Sequence, residues 1–348
     1  FHLEAAHAPS GGWGSEQERP VSYRAQTDTL GAVLPNNSPG VHSLWIPAFA
    51  MKIPLVLKPG RQEPWTPLRI ARALMQAGAP PEAFSFYPGD HAAASQILLR
   101  CGRSMAFGDA STLRPWLGDP RVQLHGPGWS KVILGQDEAP RWRDHVDLMV
   151  ASIADNGGRS CLNASGVWTA SHGLPIAQAL AQRLAAIEPK PLDHPEARIA
   201  AFSDPRQARR ISNHIDRLLA VPGARDLTAL IRGPERVVEV DRCTFLRPTL
   251  VHCEDPEHPL ASCEFLFPFA AVVEVPGAEI LDRIGPTLVG TAPTNDPSFL
   301  RELIECRHID RLNLGSIPTS RVSWDQPHEG NLFEHLYRQR ALQLTGAA

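Results

Sequence analysis

The chain reads as an α/β protein built on a mainly parallel sheet. Short apolar runs of strand length alternate with stretches whose apolar residues recur at helical spacing. Polar residues with chemical potential fall where those runs end. Lys58, Asp109 and His125 sit at or just after expected strands, and open parallel sheets bind ligands at the carboxyl ends of their strands.

The elements follow in order. Residues 1–20, rich in Gly, Pro, Ser and charge, are expected as a loop. Two short strands are expected within 21–34, the second stopped by Pro35-Asn36-Asn37-Ser38-Pro39. A helix over 41–51 leads to the apolar run 53–57, closed by Lys58-Pro59-Gly60. Thr66 and Pro67 read as the N-cap and first-turn proline of the next helix. Its residues Leu68, Ile70, Ala71, Leu74 and Met75 share one face, and Pro80-Pro81 ends it. A strand over 83–87, a helix over 92–99 and a strand over 104–107 come next. Two strands within 122–134 flank the loop His125-Gly126-Pro127-Gly128-Trp129, whose backbone is open enough to approach a phosphate. It is no P-loop, because no Gly-Lys-Ser/Thr opens a helix after it. A helix is expected over 137–155, with Trp142, Val146, Met149, Val150 and Ile153 as its core face. Helices over 174–187 and 205–219 precede strands near 237–240, 249–251 and 269–275. A helix near 278–284, a strand over 287–291, a helix over 297–307, a strand at 312–314 and a helix over 333–344 complete the chain. A domain boundary is expected between 126 and 136.

Composition narrows the function. The 348 residues suffice for two domains or one large one. The net charge of −3 comes without a basic block, which argues against nucleic acid or an anionic membrane as partner. No apolar run reaches the roughly 18 residues of a membrane span. Six cysteines in 348 residues are too sparse for a disulfide framework and point to a reducing cytoplasmic setting. His252, Cys253, His258 and Cys263 lack the paired spacing of a zinc site, so no metal is expected. The chain starts at Phe1, shows no signal peptide, and reads as an N-terminally truncated piece of a longer protein.

Cys161 is the candidate nucleophile. In Asn156-Gly157-Gly158-Arg159-Ser160-Cys161 it follows two glycines beyond a helix end, a tight backbone able to present the sulfur to a cleft. A lone cysteine is more often a small buried hydrophobe, so its neighbours decide the matter.

Four stretches in the right order supply them. Pro35-Asn36-Asn37-Ser38-Pro39 resembles Pro-Trp-Asn-Phe-Pro. Leu55-Val56-Leu57-Lys58-Pro59 resembles the Val-Val-Leu-Lys-Pro stretch. Asn156 to Cys161 resembles Asn-Gln-Gly-Gln-x-Cys, and Cys263-Glu264-Phe265-Leu266-Phe267-Pro268 resembles Glu-Glu-Ile-Phe-Gly-Pro. These motifs are those of the aldehyde dehydrogenase superfamily, which the chain resembles from about Tyr23 to about Asn313.

The resemblance implies a Rossmann-type parallel-sheet cofactor domain, partial here, over 1–130, an α/β catalytic domain over 131–325, and a C-terminal tail over 326–348. It implies Cys161 as the nucleophile toward an aldehyde carbonyl, Asn37 as a donor to the oxyanion, and Lys58 and Glu264 against the adenine and nicotinamide riboses of NAD or NADP. Arg61 stands where the family usually has a glutamate. A guanidinium there suits a 2′-phosphate, so NADP is favoured. A homo-oligomer is implied for the full-length protein.

The chain also departs from the pattern. His125 stands where the family's general base, a glutamate, opens Glu-Leu-Gly-Gly-Lys. Phe107-Gly108-Asp109-Ala110-Ser111 replaces Phe-Thr-Gly-Ser, the motif under the pyrophosphate. Gln326 to Asn331 replaces Pro-Phe-Gly-Gly. Three readings follow: an NAD(P)-dependent aldehyde dehydrogenase with His125 as base, a CoA-acylating dehydrogenase or acyl-CoA reductase that needs no base, and a catalytically silent scaffold. The substrate is a small aldehyde or acyl compound, with CoA as co-substrate in the second reading.

Overall fold

A computed structural model of the chain describes residues 6–9, 18–323, 326 and 330–341. Two compact units emerge, one from Phe1–Gly126 with Gly330–Ala348 and one from Pro127–Glu329.

The first unit holds a five-stranded parallel sheet in the order Phe84–Phe86, Leu55–Lys58, Leu30–Val33, Arg103–Phe107, Val122–His125. The chain starts in the middle, runs to one edge, then crosses to the other side. Strand order therefore reverses between Leu30–Val33 and Arg103–Phe107, the point at which doubly wound sheets open a crevice. Leu30, Leu55, Leu57, Met105 and Trp45 are buried in its core.

Several expected boundaries shift for local reasons. The helix over 41–51 divides into a 3-10 turn, Pro39–Leu44, and a short α-helix, Ile46–Ala50, because Pro47 lacks the N–H that would join them. The next helix spans Trp65–Gln76. Thr66 does not cap it; the Glu63 carboxylate does, accepting from the Thr66 N–H at 3.0 Å. The last helix ends at Leu336, and Tyr337–Arg340 pairs antiparallel with Glu18–Ala25, which also pairs with Ala6–Pro9. Tyr337 turns the chain: it is buried, its hydroxyl donates to Met51 O at 2.6 Å, and its ring stacks on Phe333. The C-terminal residues expected as a tail thus include a paired strand, and part of the expected N-terminal loop is strand as well.

The second unit holds seven strands in the order Ala224–Asp226, Thr249–Cys253, Phe269–Glu274, Ala164–Thr169, Ser130–Leu134, Thr287–Ala292, Ile309–Leu314. All neighbours are parallel except the first pair. Val237–Val240 lies outside this sheet, in a hairpin with Cys243–Leu246 whose two turn residues, Asp241 and Arg242, have φ of 49° and 65°. The helix expected over 137–155 is a 3-10 segment, Ala139–His145, followed by Val146–Ala154. Trp142, Met149, Val150 and Ile153 are buried as expected.

Ala164–Thr169, in the middle of the sheet, was not anticipated. Its first three residues are Ala, Ser and Gly, which have little β preference. Burial on both faces selects small residues here: a side chain at Gly166 would meet the Trp168 ring at 3.1 Å. Cys161 lies three residues before this strand, at the amino edge of the sheet.

Candidate active site

Helix Val146–Ala154 stops at Asp155, and Asn156, Gly157 and Gly158 follow with φ of 54°, 67° and 65°. Three successive left-handed residues reverse the chain in a way that glycine tolerates best. A Cβ on Gly158 would lie 2.3 Å from Pro268 N and 2.5 Å from Phe267 C, so the cysteine motif presses on the backbone of the Cys263-to-Pro268 motif. Arg159 is anchored beyond the turn, donating to Ala201 O at 3.1 Å with its guanidinium 5.0 Å above the Phe202 ring.

Asn163 braces the turn that carries Cys161. Its side-chain oxygen accepts from Ser160 N at 3.0 Å, and its amide donates to Ser152 O at 3.1 Å and Asp155 O at 2.9 Å. The Cys161 side chain is half-buried against Leu162, Leu288 and Val289. Asn163 carries little signal in the sequence beyond being an amide two residues past Cys161.

The stretch Gly128-Trp129-Ser130-Lys131 lies alongside. A Cβ on Gly128 would stand 2.1 Å from Cys161 O, so only glycine fits there. Its backbone approaches the cysteine turn closely. Glu264 Oε2 accepts from Gly128 N at 2.9 Å and from Trp129 N at 2.5 Å. Trp129 holds a φ of 45°, unusual for a bulky residue, and this conformation aims two successive N–H groups at one anion. Ser130 donates its hydroxyl to Cys161 O at 2.8 Å and accepts from Val289 N at 3.3 Å.

Lys131 closes the group. It is buried, and its ammonium donates to Trp129 O at 2.7 Å, Thr287 Oγ1 at 2.9 Å and Pro286 O at 3.1 Å. Burial pushes it down to about 7, opposed by the charge of Glu264. Unfolded lysine keeps its proton to about pH 10. Between about pH 7 and about pH 10 the unfolded chain binds the additional proton, so the Lys131 contribution to stability rises with pH across that window. Below it both states are charged and the contribution is constant. Urea titrations at a series of pH values should show this slope in the native protein and not in Lys131→Met.

The remaining expected site residues lie in the first unit, at the carboxyl edge of its sheet. Lys58 ends its strand and is buried, with its ammonium lowered mainly by burial and held up by Asp90. Asn36 fixes the loop that follows, accepting from Gln62 N at 2.8 Å and Glu63 N at 3.2 Å, which leaves Arg61 exposed on that loop. Asn37 is half-buried beside it. His125 ends strand Val122–His125, is 4% exposed, and stacks on Phe107 with ring centroids 4.4 Å apart. Asp109 caps Ala110–Leu113, accepting from Ser111 Oγ at 2.7 Å and Thr112 N at 2.8 Å, bonds that hold its carboxyl below the usual range. The structure thus groups Cys161 with Glu264 in one unit and Asn37, Lys58, Arg61 and His125 in the other.

Three other thiols are disfavoured as thiolates. Burial pushes Cys253 up to about 12 and raises Cys101 and Cys263. Among the described residues no three His, Cys, Asp or Glu side chains group to hold a metal ion. His258, once a conceivable ligand, accepts from Leu260 N through Nδ1 at 3.2 Å. No helix among the described residues is long and apolar enough to cross a membrane. Of the six residues from Gln326 to Asn331, 327–329 lie outside the described residues, and Asn331 caps the last helix.

Comparison with known proteins bears on the family. The phenylacetaldehyde dehydrogenase of Pseudomonas fluorescens is 28% identical over 181 residues, 49% of this chain and 35% of that protein. The non-phosphorylating aspartate-semialdehyde dehydrogenase of Halomonas elongata is 24% identical over 290 residues, 78% of this chain and 56% of that protein. The chain therefore spans about a third to just over half of these relatives. An NAD+ complex of an aldehyde dehydrogenase from Bacillus cereus has the same fold, with a TM-score of 0.71 at 18% identity over 90% of this chain and 64% of that one. The profile of the aldehyde dehydrogenase family matches residues 3–283, and the chain belongs to that family.

Proposed function

We propose that the full-length protein oxidises an aldehyde through a covalent adduct on Cys161, with a nicotinamide dinucleotide as its redox partner. The observation that carries this reading is the setting of Cys161, a half-buried thiol on a turn braced by Asn163 and Ser130 and closely approached by the Gly128 backbone. Its thiolate would attack the carbonyl carbon and leave the oxygen as an anion, which the Cys161 backbone N–H and the Asn37 amide would receive. For Asn37 the support is the resemblance alone.

A dinucleotide fits the first unit in part. The reversal of strand order marks the place where doubly wound sheets hold ligands, and Lys58 and Arg61 bring cationic donors to the carboxyl edge of the same sheet. Arg61 is exposed and free of the burial that would fix it elsewhere, which favours NADP over NAD. Asp109 fits less well, since a carboxylate opening Ala110–Leu113 opposes a pyrophosphate there. When bound, the nicotinamide supplies the hydride acceptor that converts the adduct to a thioester. Glu264 is proposed as the carboxylate that holds its ribose.

Thioester release admits a second reading. His125 is buried and stacked on Phe107, a poor position from which to activate water, and this favours transfer of the acyl group to CoA. The resemblance and the sparse cysteines support a homo-oligomer in the cytoplasm. A hydride-release assay on the full-length protein, over a panel of aldehydes with and without CoA, tests the whole reading. Aldehyde-dependent reduction is expected, accelerated by CoA if CoA is the acceptor. No reduction and no nucleotide binding would leave the silent scaffold.

A further inference from the structure

We infer that Glu264 is a positioning residue for Cys161 in the absence of any cofactor, acting through the amides of Gly128 and Trp129 and the hydroxyl of Ser130. The inference rests on the reading of Cys161 as nucleophile but assigns Glu264 a task separate from holding a ribose.

The path is continuous. The Glu264 oxygen accepts from two successive backbone N–H groups, Gly128 at 2.9 Å and Trp129 at 2.5 Å. Hydrogen bonds to an ionised acceptor are about twice as strong as neutral ones. They hold Trp129 at a φ of 45°, a conformation a bulky side chain does not adopt unaided. That conformation sets the two residues that touch the cysteine turn. Gly128, on one side, presses its Cα toward Cys161 O, where a Cβ would stand 2.1 Å away. Ser130, on the other, donates to the same oxygen at 2.8 Å while Val289 N fixes its hydroxyl from behind at 3.3 Å. Lys131 secures the arrangement by donating to Trp129 O at 2.7 Å. The Cys161 carbonyl is thus gripped by a loop whose shape Glu264 maintains.

A carboxylate that serves only the ribose would matter only when the dinucleotide is bound. A carboxylate that maintains the loop matters in the free protein. The deciding experiment uses full-length protein without nucleotide, in three forms: native, Glu264→Gln and Ser130→Ala. Iodoacetamide labelling is followed on the Cys161 peptide by mass spectrometry, with Cys161→Ala as the blank. Amide exchange is followed over residues 159–163. Both variants are expected to label Cys161 at least about threefold faster and to exchange those amides faster, as the half-buried thiol gains access when the loop relaxes. In turnover, both should lose kcat with little change in KM for the aldehyde. Glu264→Ala serves as a second variant should the glutamine amide re-form the loop. Labelling and exchange within twofold of native in all three variants would overturn the inference. A defect in Glu264→Gln that appears only with nucleotide present would do so too, leaving the ribose role alone. Failure of the nucleophile reading is seen separately, as activity retained in Cys161→Ala.

Discussion

Cys161→Ala is expected to lower aldehyde turnover of the full-length protein by roughly a thousandfold or more, because the proposed covalent route has no nucleophile without this thiol. The fold should survive. The side chain is half-buried, it packs at the margin of Leu162, Leu288 and Val289, and alanine leaves the turn's backbone bonds in place. A change in stability below about 1 kcal/mol is expected from so small a truncation. Two measurements check it: steady-state reduction with each aldehyde that the native protein accepts, and intact-mass analysis of the quenched reaction, where the acyl adduct should vanish. Residual activity above a few per cent would remove Cys161 from the mechanism. Cys243 would then be tested, since Cys253 is closed off by burial.

Gly158→Ala should be strongly destabilising for the addition of a single methyl group. Two costs combine. The residue holds a φ of 65°, where a Cβ is disfavoured, and that Cβ would fall within 2.6 Å of three backbone atoms of Phe267 and Pro268. Backbone has no rotamer by which to move aside, so the strain is relieved only by pushing two motifs apart. A loss of about 3–5 kcal/mol is expected, a large share of a typical domain's stability. Gly157→Ala is the internal control. Its φ of 67° is equally left-handed, but its nearest contact is at 3.2 Å, so only the conformational part should remain, about 1–2 kcal/mol. Urea unfolding of both variants decides the matter. Equal losses would show that the contact with Pro268 carries no weight.

Much of the fold was legible because parallel strands buried on both faces are written as apolar runs, as in Phe269–Glu274 and Thr287–Ala292. Pro205–Leu219 was legible at both ends, its start marked by Asp204 and Pro205. What escaped notice was decided by tertiary contact. Ala164–Thr169 carries small residues because neighbours crowd it, and Tyr337–Arg340 is held as a strand by its pairing with Glu18–Ala25 and by the buried Tyr337, whose hydroxyl donates to Met51 O. At the site, Cys161 and Glu264 were marked by motif. The roles of Asn163, Ser130 and Lys131 were not, since a hydroxyl or an amide becomes a brace only once a distant carbonyl is brought to it.

The position of Cys161 directly before Ala164–Thr169 has a consequence for how the protein fails. That strand lies between Phe269–Glu274 and Ser130–Leu134, with no solvent-facing residue along its length. Segments of this kind open only with the whole cooperative unit, whereas loops on long tethers fray early. Cys161, three residues ahead of that strand, is thus tethered to a segment expected to open late within its own unit. Mild heating or dilute denaturant should spare the Cys161 turn until collapse of that unit as a whole, so that any chemistry carried by its thiol and the folding of the unit are lost together rather than in sequence.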